Sequence, residues 1–407
     1  MKFFDLNLSE KILRSLKDQN YKEPTPIQIE VIPTILNNSD VMAAAQTGTG
    51  KTAAFVLPIL SKLSHPKNDY KGHQLRTLIL TPTRELAAQV RENVNNYSKY
   101  LSIRSTAVYG GARIHNQKLK LRKGIDILVA TPGRLLDLYN QKSVDFKNIE
   151  ILVLDEADQM LDMGFIHDIK KIIKLLPERR QNLMFSATFS NSFRSLALEI
   201  ADKAIEISVT NDNQASINIE HYVHPVDKSK KTKLLIELIE KNKWDQVLVF
   251  TRTKHGADRV KKSLDNAKIN ALAIHGNKTQ NNRMKALDAF KNNKISTLVA
   301  TDVAARGIDI KNMSRVVNFD VPTVAKDYVH RIGRTGRAGK KGLAISFVSA
   351  DEFKYLLDIE KLLNHKLKKV VIEGFEPEHA LPLKLKQEKN KFYKRNKYKK
   401  RKKNRKG

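Results

Sequence analysis

Two α/β domains in series, each a doubly wound parallel sheet between layers of helices, are the fold this sequence predicts, and three observations predict it. The chain has 407 residues, more than one ordinary domain holds and a fit for two at roughly 100 to 200 residues each. Short apolar runs alternate with amphipathic stretches from residue 40 to 208, the pattern of buried parallel strands covered by helices. A polar stretch without periodicity over 208–216 interrupts that alternation, which then resumes. The expected boundaries are a first domain over 1–208, a linker over 209–216, a second domain over 217–370 and a basic tail over 371–407.

Taken in order, Leu8, Ile12, Leu13 and Leu16 share one helical face, with Ser9 placed to cap it. The first domain is expected to have strands at 77–80, 125–130, 149–154 and 183–185, with helices at 52–63, 84–97 and 133–139. In the second, strands at 246–250, 271–274, 296–300, 315–318 and 343–348 alternate with helices such as 256–266 and 282–291. The end of the chain, 384–407, holds 14 Lys or Arg against one Glu, with Phe392, Tyr393 and Tyr398 interleaved, and reads as a disordered arm.

Lys and Arg total 74 against 43 Asp and Glu, a net charge of +31. So large an excess points to a polyanionic partner, nucleic acid first, with anionic lipid and acidic proteins as alternatives. The absence of cysteine excludes disulfides, thiolate zinc sites and cysteine nucleophiles. Charge interrupts the N-terminal segment before a signal core of about 7 to 15 apolar residues can form, and no apolar run reaches the roughly 18 residues of a membrane span. A soluble, cytoplasmic protein with no membrane partner is expected.

Ala45, Gln46, Thr47, Gly48, Thr49, Gly50, Lys51 and Thr52 follow an apolar segment and open a helix, which is the context of a P-loop. Glycines let the backbone N–H groups turn toward phosphate oxygens, Lys51 reaches the β and γ phosphates, and the Thr52 hydroxyl can ligate Mg²⁺. Ala45 stands where the general pattern has its first glycine. Farther on, the strand at 149–154 delivers Asp155, Glu156, Ala157 and Asp158 to its carboxyl end, the edge at which such sheets bind ligands. Asp155 is placed to hold Mg²⁺ and Glu156 to orient and deprotonate an attacking water.

That acidic tetrad after that P-loop resembles the DEAD-box helicases, and the resemblance runs in the family's order from residue 1 to about 370. It implies tandem RecA-like domains, ATP and Mg²⁺ as cofactors, and RNA as the partner. Tyr21 to Gln28 (Tyr-Lys-Glu-Pro-Thr-Pro-Ile-Gln) is similar to the family's adenine-reading segment, with Phe3 as a distant aromatic partner, although Asn20 replaces the family's usual glycine. The Gln28 amide can both donate to and accept from an adenine edge, and Tyr21 can stack on its face. By resemblance Pro82, Thr83 and Arg84, Gly110 and Gly111, and Thr131, Gly133 and Arg134 line an RNA track on the first domain. Exposed N–H groups and arginines suit backbone contact without base reading. Ser186 and Thr188, in Ser-Ala-Thr at a strand end, resemble the segment that couples hydrolysis to strand separation, and Asp158 closes the acidic tetrad.

The second domain has no P-loop and looks like an activating partner. By resemblance Arg334 and Arg337 are arginine fingers on the γ-phosphate and Asp309 contacts the ribose, while Thr251, Arg252, Gln280, Arg283 and Thr301 contact RNA. The resemblance implies a helicase that unwinds short RNA duplexes as the two domains close on ATP and RNA together. Such enzymes are associated with ribosome assembly, structured-RNA remodelling and RNA turnover, which would add ribosomal-precursor or RNA-decay proteins as partners. The short N-terminus, the lead-in Met42 to Ala45 and the ending Ile372 to Pro377 before the basic tail look most like the bacterial RhlE-type group. Two other functions fit the P-loop: a DNA-directed helicase, and an ATP-gated RNA clamp or assembly platform with little unwinding.

Overall fold

Strands β1 (Val41–Ala44), β2 (Thr77–Leu80), β4 (Ile127–Ala130) and β5 (Ile151–Leu154) are buried along their whole length in a computed structural model of the chain. Side chains alternate across a sheet, so continuous apolar sequence needs a core on both faces. Accordingly Ile79 and Val153 enter one hydrophobic cluster, while Leu78, Leu80, Leu152 and Leu154 enter a second on the opposite face. The structure describes residues 1–45, 49–64, 73–209, 219–305, 313–336 and 341–378.

Among those residues β3 (Ser105–Val108), β6 (Gln181–Ser186) and β7 (Ile205–Ser208) complete a first sheet in the order β3-β4-β2-β5-β6-β1-β7. A second sheet contains β8 (Ile219–Pro225), β9 (Val247–Thr251), β10 (Ala271–Ile274), β11 (Thr297–Thr301), β12 (Arg315–Asn318), β13 (Gly342–Val348) and β14 (Lys368–Lys369). Its order is β10-β11-β9-β12-β13-β8-β14. All pairings in both sheets are parallel. Numbered within its own domain, each sheet has the same strand order, so the second domain repeats the topology of the first. The tandem RecA-like doubly wound fold is therefore present.

The order positions the chemistry. Because β2, β5, β6 and β1 are neighbours, the loops after them, carrying Thr83, Asp155, Ser186 and Lys51, lie side by side along one carboxyl edge. In the second sheet the neighbours β11, β9, β12 and β13 bring Asp302, Arg252, Asp320 and Glu352 to the corresponding edge.

Expected strands at 77–80, 271–274 and 315–318 have the observed bounds, and the other expected strands differ by one or two residues at one or both ends. Strand β8, which lies between β13 and β14, was hidden by its composition, with Glu220, His221, His224 and Pro225 in seven residues. Context supplies what the composition lacks, since Val223 is fully buried and His224 Nδ1 lies 2.7 Å from the Val370 carbonyl. One boundary is corrected: 371–378, assigned to the tail, pack on the second domain. Phe375 is buried with Ile372 against its core, and the Glu378 N–H donates to Asp227 Oδ2 at 2.9 Å. The linker at 210–216 and the basic arm from 379 onward, with Phe392, Tyr393 and Tyr398, lie outside the described residues, as do Gln46, Thr47, Gly48, Asp309 and Arg337. No helix of the described residues is long and apolar enough to cross a membrane.

Candidate active site

The P-loop helix Lys51–Leu63 begins on Gly50, whose φ of 93° is left-handed. A Cβ at Gly50 would also sit 2.4 Å from Gln28 Nε2, so only glycine fits. Gln28 is buried, donates from Nε2 to the Gly50 carbonyl at 3.1 Å and accepts at Oε1 from the Thr25 N–H at 3.0 Å. The segment expected to read adenine is thus tied directly to the phosphate loop. Each end of the amide keeps one unused site, a second N–H and a second lone pair, so bracing and base reading are compatible. Gln28→Ala is expected to lower the ratio of ATP to GTP selectivity and also to raise the KM for ATP. Competition kinetics with the two nucleotides would measure both, and unchanged selectivity would confine Gln28 to bracing.

Tyr21 is 38% exposed and packs edge-on against Phe3, with ring centroids 6.0 Å apart. Its hydroxyl lies 2.8 Å from that of Tyr97, which fixes the ring while leaving surface for stacking. Asn20 takes a left-handed φ of 59°, so the turn usually made by glycine survives here. Asn does so more readily than most side chains.

Lys51 is buried, and its ammonium donates to the Ser186 carbonyl at 3.4 Å. Ala45 N–H donates to the same carbonyl at 3.1 Å, so the end of β6 holds both ends of the P-loop. Asp155 and Glu156 are buried at the end of β5. Burial pushes the Asp155 carboxyl up to about 6, with Lys51 pulling against it. Burial, then the charge of Asp155, push Glu156 up to about 7, opposed by Lys51 and by Arg334 from the second domain. Glu156 also adopts a left-handed φ of 53°, and its Oε2 is buried with no hydrogen-bond partner among the described residues. Backbone strain and an orphan carboxylate oxygen on one residue are what a positioned base displays before its substrate arrives.

Asp158 accepts at Oδ2 from the Ala187 N–H at 3.1 Å, joining the acidic tetrad to the segment after β6. The Ser186 hydroxyl donates to the Thr188 carbonyl at 2.7 Å and accepts from the Thr188 N–H at 3.2 Å. It is Ser190 that caps the following helix, accepting from the Phe193 N–H at 3.2 Å. The bonds of Asp158 and Ser186 thus connect the site to that turn rather than facing the phosphates.

The expected RNA track is only partly surface. In the first domain Arg84 lies so close over Gly111 that a Cβ there would meet its Nη1 at 1.9 Å, and Arg134 donates to the Ala112 carbonyl at 3.2 Å. Arg84, Arg134, Gly110 and Gly111 therefore converge on one loop, with Gly133 exposed at the start of helix Pro132–Asn140. Pro82, Thr83, Thr131, Thr251, Gln280, Arg283 and Thr301 are buried. Thr83 is a helix cap that accepts from the Leu86 N–H at 3.2 Å, and Thr251 is wholly buried in β9. The side chains of these residues are therefore off the open surface.

Arg283 forms a 2.9 Å ion pair with Glu85, both side chains under 10% exposed. The pair joins helix Gln280–Lys291 of the second domain to helix Arg84–Tyr97 of the first. Gln280 beside it has both amide atoms buried without a partner among the described residues. Removing one member of a buried pair strands the other charge. Arg283→Ala is expected to reduce about tenfold the factor by which a nonhydrolysable ATP analogue raises RNA affinity, within the usual range of such coupling. Adding Glu85→Ala should cost little more; additive losses in fluorescence anisotropy titrations would mean the residues act separately.

Sequence reasoning also passed over Arg331. It is 1% exposed and bidentate to Asp302 at 2.6 and 2.7 Å, and it donates to Asn318 and the Asp320 carbonyl at 3.1 and 2.7 Å. Arg331 thus locks the segment that carries Arg334, three residues on. Its position inside the His330 to Arg337 segment was the available signal.

Comparison with known proteins agrees with this arrangement. Residues 25–196 match the family model described as DEAD/DEAH box helicase, and 230–339 match the helicase conserved C-terminal domain. The ATP-dependent RNA helicase CshA of Limosilactobacillus reuteri is 42% identical over 362 residues, covering 89% of this chain and 72% of the relative. The DEAD-box ATP-dependent RNA helicase RhpA of Helicobacter pylori is 39% identical over 365 residues, covering 90% of this chain and 73% of the relative. Among solved structures, S. cerevisiae Dbp5 bound to RNA and ADP BeF3 has a TM-score of 0.80 at 32% identity, covering 91% of this chain and 95% of that one. A DEAD box protein from Methanococcus jannaschii has a TM-score of 0.53 at 39% identity, covering 91% and 99%. Relatives named CshA and RhpA do not support the RhlE-type placement, which rested on the short N-terminus, the lead-in to the P-loop and the ending before the basic tail.

Proposed function

The chain belongs to the DEAD-box family of ATP-dependent RNA helicases, and from that premise we propose that ATP is held between the P-loop and the second domain's arginine segment while RNA lies across both carboxyl edges. The observation that carries this is the pairing of groups across the cleft: Arg334 acts on Glu156, and Arg283 on Glu85. Hydrolysis then requires the two domains to be together, and RNA bound to both favours the same closed form. Linkage makes each ligand raise affinity for the other. RNA held by backbone N–H groups and arginines is read by shape, with little sequence preference.

Within the site Lys51 takes phosphate charge, Glu156 orients and accepts a proton from the attacking water, and Arg334 takes charge that develops on the transferred phosphoryl. Arg337 and Asp309 join Arg334 in this reading, as finger and ribose contact. Asp155 and the Thr52 hydroxyl would hold Mg²⁺. The donors fit: Asp155 is a buried carboxylate at the end of β5, close enough for Lys51 of the P-loop helix to act on it, and Mg²⁺ beside a nucleotide uses one or two protein oxygens plus phosphate and water. Mg²⁺ supplies charge neutralisation on the phosphates when bound.

The biological setting we infer is cytoplasmic remodelling of structured RNA, in ribosome assembly or RNA turnover. Steady-state ATPase activity with no nucleic acid, with single-stranded RNA and with single-stranded DNA of the same sequence tests the assignment, with Lys51→Ala as the blank. Stimulation by RNA alone is expected. Equal stimulation by DNA would favour a DNA-directed motor and remove the RNA-specific reading.

A further inference from the structure

A buried ionic relay stands behind Arg252 at the carboxyl edge of the second sheet. Lys231 opens helix Lys231–Lys241 yet is 1% exposed, and its ammonium donates to the Phe319 and Phe347 carbonyls at 3.0 Å each and to Glu352 Oε2. Glu352 is 3% exposed and accepts at Oε2 from the Ser349 hydroxyl at 3.0 Å. Its other oxygen, Oε1, accepts from Arg252 Nη2 at 2.8 Å. The same Nη2 donates to the Val321 carbonyl at 3.0 Å, the Arg252 N–H donates to Asp320 Oδ2 at 2.8 Å, and the guanidinium lies 5.5 Å from the centre of the Tyr355 ring.

One carboxylate would suffice to neutralise buried Lys231. That Glu352 also reaches Arg252 has a separate consequence. The three charges sum to one positive charge, and the only member near solvent is Arg252, whose side chain is 37% exposed. Nη2 is committed inward, and no bond among the described residues uses Nε or Nη1. The guanidinium is therefore fixed by carboxylate, carbonyl and ring, with donors left for an anion. An arginine held this way loses less conformational entropy when it binds.

We propose that Glu352 is a positioning residue for RNA binding: it holds the Arg252 guanidinium ready for a backbone phosphate, with Lys231 anchoring the carboxylate's other oxygen and Tyr355 serving as the platform beneath. The proposal rests on Arg252 as an RNA contact. It makes Glu352 act through Arg252 and not through the fold at large.

A double-mutant cycle on the full chain separates these. Affinity for a short single-stranded RNA would be measured with a nonhydrolysable ATP analogue across a salt series. Arg252→Ala is expected to weaken binding about tenfold or more, the worth of one charge-assisted hydrogen bond, and to reduce the salt slope by about 0.7. Glu352→Gln should weaken binding severalfold alone and add nothing in the Arg252→Ala background. Tyr355→Leu, which leaves every charge in place, should behave the same way and keeps the test open if Glu352→Gln misfolds. Additive losses, or full affinity in both Glu352→Gln and Tyr355→Leu while Arg252→Ala is impaired, would overturn the positioning role. Full affinity in Arg252→Ala would instead remove Arg252 as an RNA contact, and the proposal with it.

Discussion

Arg334→Ala is expected to lower RNA-stimulated kcat by about 10³- to 10⁵-fold, the usual worth of an arginine finger in phosphoryl transfer. Arg334 is 6% exposed on the second domain, yet its charge is felt by Glu156 on the first. A permanently charged planar group brought to that position acts only when the domains meet, so its contribution belongs to the transition state. The loss should therefore fall on kcat, with a smaller change in the KM for ATP, and single-turnover hydrolysis with saturating RNA would measure it. A variant whose defect lay in KM would make Arg334 a ground-state phosphate ligand. The main-chain bonds of residue 334, from its own N–H to the Arg331 carbonyl and from the Met313 N–H to its carbonyl, remain in the variant, and a thermal melt separates a folding defect from a catalytic one. Arg331, by contrast, is a packing residue whose four bonds hold the segment together.

The contrast between those two arginines shows what could be read from sequence and what could not. Fold class was legible because strands such as 77–80 and 151–154 are buried on both faces and must be continuous apolar runs. The P-loop and the acidic tetrad were legible because their chemistry is local, within eight residues and four. Roles that depend on which domain faces which were not. Arg283 and Arg84 are both arginines near helix starts, yet one is buried against Glu85 of the other domain and the other lies across a glycine loop. The same holds for Lys231 and Glu352, more than a hundred residues apart, which meet only because β8 and β13 are neighbours in the sheet. Polar composition concealed β8 for a related reason: its burial is a property of the completed sheet and not of its seven residues.

Glu156→Gln should reduce ATP turnover by about 10²- to 10⁴-fold, the range for loss of a general base, while leaving ATP and RNA bound. The amide matches the carboxylate in size and retains an oxygen that can orient water, but it cannot take the proton. Because ATP and RNA favour the same closed form, a variant that keeps ATP intact should keep the ternary complex, and the dissociation rate of labelled RNA in the presence of ATP would measure it. The variant should also be at least as stable as the parent. Glu156 is buried beside Asp155, each of the two is pushed toward its neutral form chiefly by burial, and like charge between them adds to that push on Glu156. Removing one charge relieves that repulsion. A thermal melt with no loss of stability, together with a trapped complex, would assign the defect to proton transfer. Normal turnover would dispose of Glu156 as the base, and a fall in stability would mean that its carboxylate is held by contacts stronger than its orphan Oε2 indicates.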